Sequence, residues 1–270
     1  MSKIGLIAGQ GALPCMWARR AQKKGHQVYA FPVIEEETRP LTKYTVETKN
    51  INLGALENLL QDLAEKDIKK IIMLGKVEKS RLFANFQPDM RMKSLLGSLP
   101  NLSDDLILKS LLDHFEKQGF EILKQTMFME DLIPQPGILT EKMPAPELKE
   151  EMDFGLEMAQ KIGDLGIGQT VVVKQKAVLA VEAIEGTDSA VMRGGKLGGE
   201  DCVVAKVSRS DQDFRFDTPT VGLETLKMLE KVKASGLVLE AGKTFIVDYG
   251  EFIKQADQAG LVVAARKLSN

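Results

Sequence analysis

Asp213, Arg215 and Asp217 alternate along one short segment, and these side chains could together act on a phosphate or a bound cation. If the segment is extended, the three charged side chains share one face, because successive side chains of a strand point to opposite sides. Phe214 and Phe216 would then face a core. The segment therefore predicts a catalytic or metal-binding surface, and the alternative is an ordinary lattice of surface ion pairs next to a helix.

A helix is predicted directly after these charges, with Thr218 as its N-cap and Pro219 in its first turn. Apolar residues recur at helical spacing as far as Val232, and Gly236 is expected to end the helix. Asp217 would occupy a rigid corner before this helix. Such a corner suits a side chain that must hold a reacting group in place.

Glu182 lies inside an apolar, β-branched stretch that predicts a strand over residues 177–184. Alternation along the strand would place Glu182 and Glu185 on opposite faces. A buried carboxylate without a partner is unfavourable, because it loses its hydration and gains nothing in return. Glu182 is therefore expected to face an arginine, a lysine or a cation.

A charged, glycine-rich segment over residues 194–201 is predicted to form a flexible loop. It could close over a substrate, with Arg193 or Lys196 bringing positive charge to a diphosphate. Lys206, in the strand that follows, is a similar candidate. A simple connection and a solvated strand edge are the alternative interpretations.

Two glycine turns in the first half of the chain are candidate binding loops. Gly9-Gln10-Gly11 follows a strand and opens a helix, and Gly75-Lys76 lies at the end of another strand. Both turns are expected at the carboxyl ends of parallel strands, where open α/β sheets usually bind ligands. Pro14 stands where a dinucleotide-binding turn has its third glycine, so no nicotinamide or flavin is expected. Tight turns that merely need small residues are an equally good interpretation.

Composition sets further limits on the function. The chain has 270 residues, of which 44% are hydrophobic, so it can form two modest domains. Its 36 Lys and Arg do not outnumber its 38 Asp and Glu, which argues against binding nucleic acid. Two distant cysteines, Cys15 and Cys202, suit a reducing compartment. With neither a signal peptide nor a long apolar run at hand, the sequence predicts a cytoplasmic protein with at most peripheral membrane contact.

The order of the predicted elements indicates an α/β fold class. Strands and helices alternate over residues 1–131, which predicts an N-terminal Rossmann-like parallel-sheet domain. Prolines cluster over residues 132–148 and predict an extended linker. Residues 149–270 predict a C-terminal mixed α/β domain, with a hairpin turn at Lys174-Gln175-Lys176 and a last helix opened by a capping box of Asp248 and Glu251.

Residues 181–188 read VEAIEGTD, and residues 212–222 read QDFRFDTPTVG. These segments resemble the signature of the LpxI-type UDP-2,3-diacylglucosamine pyrophosphatases of lipid A biosynthesis. Three earlier segments also match and occur in the expected order. They are IGLIAGQGALP at residues 4–14, LGKV at 74–77 and DFGLEMAQKIGDLGIGQTVVV at 153–173. The resemblance covers essentially the whole chain.

This resemblance implies hydrolysis of UDP-2,3-diacylglucosamine to UMP and 2,3-diacylglucosamine 1-phosphate (lipid X), with water attacking the β phosphorus. It also implies a homodimer and a requirement for Mg²⁺ or Mn²⁺. Asp217 matches the essential aspartate of the family, which either ligates the cation or activates the water. A non-catalytic regulatory protein that binds sugar nucleotides and a nucleotide-sugar transferase are the alternative functions.

The resemblance and the segments above together define the expected site. The expected catalytic residues are Asp217, Asp213 and Arg215. The expected metal ligands are Asp217, Glu182, Glu185 and Asp188. The expected substrate-binding residues are Gly9, Gln10, Gly11, Gly75, Lys76, Thr187, Asp188, Lys206, Thr218 and Thr220. A site of carboxylate oxygens suits a hard cation such as Mg²⁺, which also binds substrate phosphates.

A segment rich in Met and Phe, residues 82–92 with Leu95 and Leu96 behind it, follows the third predicted strand. Flexible Met and Phe side chains adapt to irregular apolar ligands. The segment is therefore expected to line a chamber for the acyl chains of such a substrate. Ordinary core packing is the alternative interpretation.

Overall fold

A computed structural model describes residues 1–77 and 86–268 of the chain, and of Asp104 only the backbone. The chain forms two compact units. The first unit comprises Met1–Met129 together with Phe214–Phe216, and the second comprises Glu130–Asp213 and Asp217–Asn270. Residues 132–148, where a linker was predicted, therefore fall within the second unit.

The first unit contains the predicted parallel sheet. Its strands are β1 (Lys3–Ala8), β2 (Gln27–Pro32), β3 (Glu47–Thr48), β4 (Lys70–Leu74) and β5 (Glu121–Ile122). They lie in the order β3-β2-β1-β4-β5, and every pairing is parallel. The central strand β1 and its neighbour β4 are almost entirely buried, which explains their continuous apolar sequences.

The second unit contains a mixed sheet, as predicted for this half. Its strands are β6 (Gly137–Ile138), β7 (Thr170–Lys174), β8 (Ala177–Val181), β9 (Val203–Lys206), β11 (Gly236–Glu240) and β13 (Val262–Arg266). They lie in the order β6-β13-β11-β9-β7-β8, in which β9, β11 and β13 are parallel and the outer pairings are antiparallel. Two short strands, β10 (Thr220–Val221) and β12 (Phe245–Ile246), form a separate parallel pair.

Helices connect the strands in both units. The first unit has α1 (Ala12–Lys23), α2 (Thr38–Leu41), α3 (Leu56–Glu65), α4 (Met90–Gly97) and α5 (Asp104–Lys117). The second has α6 (Pro146–Asp164), α7 (Thr187–Gly198), α8 (Leu223–Lys231) and α9 (Tyr249–Gln258). Short 3₁₀ helices cover Glu35–Glu37 and Glu130–Leu132. Over the described residues, these helices are too short or too polar to cross a bilayer.

The segment from Asp213 to Asp217 is a turn, so the prediction of an extended, alternating segment is wrong. The backbone N–H of Asp217 donates to the carbonyl oxygen of Asp213 at 3.1 Å. Within the first unit, Gln125 donates from its backbone N–H to Phe214 O at 2.8 Å and from Nε2 to Phe216 O at 2.9 Å. Phe216 also packs against the apolar core of that unit. These contacts shape the segment more strongly than its alternating sequence does.

The helix predicted to begin at Thr218 begins instead at Leu223. Thr220 and Val221 form β10 and pair with Phe245 and Ile246, so the backbone there is extended. The helix also ends earlier than predicted, at Lys231, and Gly236 is the first residue of β11.

The glycine-rich segment predicted as a flexible loop is largely the end of helix α7. A Cβ atom on Gly194 would lie 2.6 Å from the Val172 side chain, and one on Gly195 would lie 2.4 Å from Val232. Both glycines therefore allow the helix to pack closely on its neighbours. The sequence signal for a loop was in fact a signal for close packing.

Two turn predictions had opposite outcomes. Strands β7 and β8 form the predicted hairpin, with Gln175 and Lys176 at φ values of 52° and 55°. Two successive left-handed residues match the twist of a tight hairpin. The capping box at the last helix is wrong, because the Asp248 side chain makes no cap hydrogen bond. Glu251 instead accepts a hydrogen bond from Gln255.

Candidate functional site

A polar pocket lies in the second unit, at the edge of the sheet where β7 starts and β8 and β9 end. Its volume is about 230 Å³. It is lined by Gly168, Gln169, Glu182, Ala183, Lys206, Asp217, Thr218, Pro219 and Thr220. The antiparallel registers explain this grouping, since Thr170 pairs with Lys206 and Val171 pairs with Val181. The pocket thus joins the two acidic segments that the sequence singled out.

Lys206 is the buried cation of this pocket, with only 5% of its surface exposed. Its Nζ donates to Thr170 Oγ1 at 3.1 Å and to Thr187 Oγ1 at 2.8 Å, and it lies 3.6 Å from Glu182 Oε2. Thr187 Oγ1 in turn donates to Glu182 Oε1 at 2.8 Å. The expected cationic partner of Glu182 is therefore confirmed, and it is a lysine.

Two buried oxygen atoms at the pocket have no hydrogen-bond partner among the described residues. They are Glu182 Oε2 and Thr218 Oγ1. Buried polar atoms in folded proteins nearly always have partners, so these two atoms can accept a water or a bound group as a partner. Thr220, which also lines the pocket, uses its hydroxyl to donate to Thr218 O at 2.9 Å.

Asp217 is held in the pocket by amides instead of a cation. Its Oδ2 accepts from Gln169 Nε2 at 3.2 Å and from Gln212 Nε2 at short range. Gln212 Nε2 also donates to the backbone oxygen of Asp217 at 3.1 Å. Within the described part of the chain, Asp217 forms no ion pair and its Oδ1 accepts no hydrogen bond. Neither glutamine was among the residues predicted for the site.

The other two expected catalytic residues are placed differently. The backbone oxygen of Asp213 closes the turn to Asp217. Arg215 belongs to the first unit, where its Nη1 lies 2.6 Å from Glu116 Oε1 in an ion pair. Asp217 is therefore the one member of the predicted catalytic set that lines the polar pocket.

The predicted set of four metal ligands is not assembled. Glu185 pairs with Arg193, and a backbone hydrogen bond together with that guanidinium lowers the pKa of the Glu185 carboxyl. Asp188 Oδ1 accepts from Thr225 Oγ1 at 3.0 Å. The described residues contain no cluster of three or more His, Cys, Asp or Glu side chains suited to a metal. Glu182 and Asp217 are the two predicted ligands that line the pocket.

The glycine turns of the first unit pack against each other. A Cβ atom on Gly9 would lie 2.7 Å from Lys76 O, and one on Gly75 would lie 2.6 Å from Gly9 C. Gln10 and Lys76 exchange backbone hydrogen bonds of 2.8 and 3.0 Å. The N–H of Gly11, at the start of α1, donates to Glu37 Oε1 at 3.3 Å. These contacts favour the interpretation that Gly9 and Gly75 allow close packing of two backbones.

An apolar cavity of about 230 Å³ lies within the first unit. Phe86, Met92 and Leu96, from the segment expected to bind acyl chains, line it together with Leu111 and Phe216. Residues 82–85 of the same segment lie outside the described residues. The cavity wall is predominantly apolar, so it suits a hydrocarbon ligand.

Comparisons with known proteins agree along the whole chain. The LpxI N-terminal domain matches residues 3–132, and the LpxI C-terminal domain matches residues 135–264. A protein of Caulobacter vibrioides named UDP-2,3-diacylglucosamine pyrophosphatase LpxI is 33% identical over 274 aligned positions, which cover 97% of each chain.

One solved structure, an N5-carboxyaminoimidazole synthetase from Staphylococcus aureus, is 16% identical, with a TM-score of 0.27. The alignment covers 73% of this chain and 44% of that chain, and so low a score carries no argument. The two family matches, in contrast, leave only a few residues uncovered. On their strength and that of the Caulobacter relative, the chain belongs to the LpxI family.

Proposed function

We propose that this protein hydrolyses the pyrophosphate bond of UDP-2,3-diacylglucosamine to UMP and lipid X, a step of lipid A biosynthesis. Membership of the LpxI family and the name of the Caulobacter relative support this activity. One structural observation carries it: the buried Lys206 ammonium and the Asp217 carboxylate line the same polar pocket. A fixed cation beside a fixed carboxylate suits the cleavage of a phosphoric anhydride.

Lys206 and Thr218 are the groups we assign to the diphosphate. The Lys206 ammonium has three donors, of which Thr170 and Thr187 take two. The ammonium also lies 3.6 Å from Glu182 Oε2, which is beyond hydrogen-bond length, so we assign its third donor and the Thr218 hydroxyl to phosphoryl oxygens. Because the ammonium is already held in place, it can stabilise negative charge that develops during the reaction without first reorganising.

Asp217 is the residue we assign to the attacking water. Its Oδ1 is available, since both amide donors bind Oδ2. The carboxylate could serve as a base or as a ligand, and both roles need it in a fixed position. The amide partners are neutral, so they leave the negative charge of Asp217 uncompensated by any ion pair in the described chain.

Asp217 and Glu182 are the residues that would hold Mg²⁺ or Mn²⁺. Their chemistry fits, because Mg²⁺ commonly uses one or two protein carboxylates together with water and substrate phosphates. Glu182 Oε2 is also buried and has no hydrogen-bond partner among the described residues. The bound cation would supply Lewis-acid stabilisation of phosphoryl oxygens. Glu185 and Asp188 are not part of this proposed set.

The apolar cavity of the first unit is proposed to bind part of an acyl chain. Each methylene group removed from water contributes about 0.8 kcal/mol. The cavity is smaller than the roughly 300–1,000 Å³ of pockets that enclose drug-sized ligands, so it accommodates a segment of one acyl chain.

The resemblance also supports a homodimer with peripheral contact at the cytoplasmic face of the inner membrane. Light scattering would test the homodimer, and liposome flotation would test the membrane contact.

The proposed activity predicts release of UMP and a phosphomonoester from UDP-2,3-diacylglucosamine by the purified protein. We expect release with Mg²⁺, its loss on chelation and its recovery on adding the metal back. UDP-N-acetylglucosamine lacks the long acyl chains and should react far more slowly, and equal rates would contradict a role for the apolar cavity. Substrate that stays intact with both Mg²⁺ and Mn²⁺ would contradict hydrolysis and favour a binding protein. A transferase would release no phosphomonoester without an acceptor.

A further inference from the structure

We propose that Gln169 and Gln212 are positioning residues that hold the Asp217 carboxylate by one oxygen and present the other to the reaction. This inference rests on the proposed hydrolase function and deepens it. Both side chains donate from Nε2 to Asp217 Oδ2, and none of the described residues donates to Oδ1. Rotation of the carboxylate would break both hydrogen bonds.

The hydrogen bonds of Gln212 define which way its amide faces. Its Oε1 accepts from the backbone N–H of Arg209 at 3.1 Å and from Gln169 Nε2 at 3.3 Å. Because two donors face the oxygen, the NH₂ group must be the end that faces Asp217. That NH₂ group bonds both the side chain and the backbone oxygen of Asp217. Gln212 therefore fixes the carboxylate relative to its own backbone.

Gln169 connects Asp217 to the strand that carries Lys206. It directly precedes β7, and its backbone oxygen accepts from the N–H of Val207 at 3.0 Å. Val207 follows Lys206 in the chain. The Gln169 side chain thus ties the carboxylate to the same backbone that positions the ammonium. Together, the two glutamines set the separation of the two charged groups we assign to the reaction.

The test replaces each amide by methionine, which is similar in length but donates no hydrogen bond. We expect Gln212→Met and Gln169→Met to lower kcat by about 10- to 100-fold, because a misplaced reacting group costs up to this factor. We expect KM to change by less than about threefold, because the Lys206 ammonium, which we assign to the diphosphate, is untouched. Thermal unfolding should stay close to that of the wild type.

Gln160→Met is the matched control. Gln160 also donates from Nε2 to an aspartate, Asp164 Oδ1, at 2.8 Å, but it does not line the polar pocket. The Gln160→Met variant should keep wild-type kcat.

Absence of UMP release by the wild-type protein would overturn the proposed function and this inference with it. Wild-type kcat in both variants, or a loss of kcat matched by lost thermal stability, would overturn the positioning role alone. If Gln212→Met does not fold, Gln169→Met decides the question.

Discussion

Asp217→Ala is expected to lower kcat for UDP-2,3-diacylglucosamine by about 10³-fold or more, with folding and substrate binding retained. The variant removes Asp217 Oδ1, the oxygen that we assign to the attacking water. The buried Lys206 ammonium stays in place. It removes no ion pair found in the described chain, so the fold loses only the two amide hydrogen bonds to Oδ2. Single-turnover assays together with substrate-binding titrations measure the two effects separately.

Asp211→Ala is the control for this variant. Asp211 lies in the same loop, but its side chain is 89% exposed and its contact with Arg209 is long, at 3.7 Å. We expect it to keep wild-type turnover. Turnover of Asp217→Ala within about threefold of the wild type would remove Asp217 from the mechanism, since general acid–base or ligand roles are worth far more.

Lys206→Met is expected to damage both turnover and stability. The lost ammonium should lower kcat/KM by about 10²- to 10³-fold, the range found when a preorganised charge or donor is removed. The Glu182 carboxylate would remain buried without its cation, which should destabilise the fold by about 3 kcal/mol. Steady-state kinetics and urea unfolding measure the two losses.

Two further variants separate these losses. In Lys206→Met/Glu182→Gln, the unpaired carboxylate is gone, so we expect much of the stability to return while turnover stays low. Lys233→Met breaks an exposed ion pair with Glu200 and should change stability by at most about 1 kcal/mol. Wild-type turnover in the single Lys206 variant would show that the ammonium is structural only.

The sequence predicted the fold where a single periodicity governs a whole element. The apolar runs of β1 and β4 and the polar turn of the β7–β8 hairpin are local patterns, and the structure contains all three. The failures arise where distant residues override local sequence. Gly194 and Gly195 are typical loop residues. In this helix, however, their lack of a side chain leaves space for Val172 and Val232. No local pattern distinguishes these two uses of glycine.

The site was predictable in so far as charge marks its residues. Glu182 stood out because a carboxylate in a predicted apolar strand needs a partner. The strand β8 ends at Val181, just before Glu182, but Lys206 is the predicted kind of partner. Glu185 and Asp188 have the same acidic character in the same segment, but they bind Arg193 and Thr225. Arg193 lies on the helix α7 that follows Glu185, and Thr225 lies on α8, so sequence proximity to Glu182 was misleading.

The two glutamines beside Asp217 were not predictable from residue type. Neutral amides are common on protein surfaces and carry no charge that singles them out. The available signal was position, since Gln169 directly precedes β7 and Gln212 opens the segment QDFRFDTPTVG. Only the fold shows that both amides converge on one oxygen of Asp217.

The most direct measurement follows the oxygen of the water. The purified protein is incubated with UDP-2,3-diacylglucosamine and Mg²⁺ in H₂¹⁸O, and the masses of both products are measured by mass spectrometry. We predict unlabelled UMP and lipid X that carries one ¹⁸O atom in its phosphate, because the resemblance implies that water attacks the β phosphorus, and the bridging oxygen would then leave with UMP. Intact substrate, ¹⁸O in UMP, or products that contain no ¹⁸O would contradict the account.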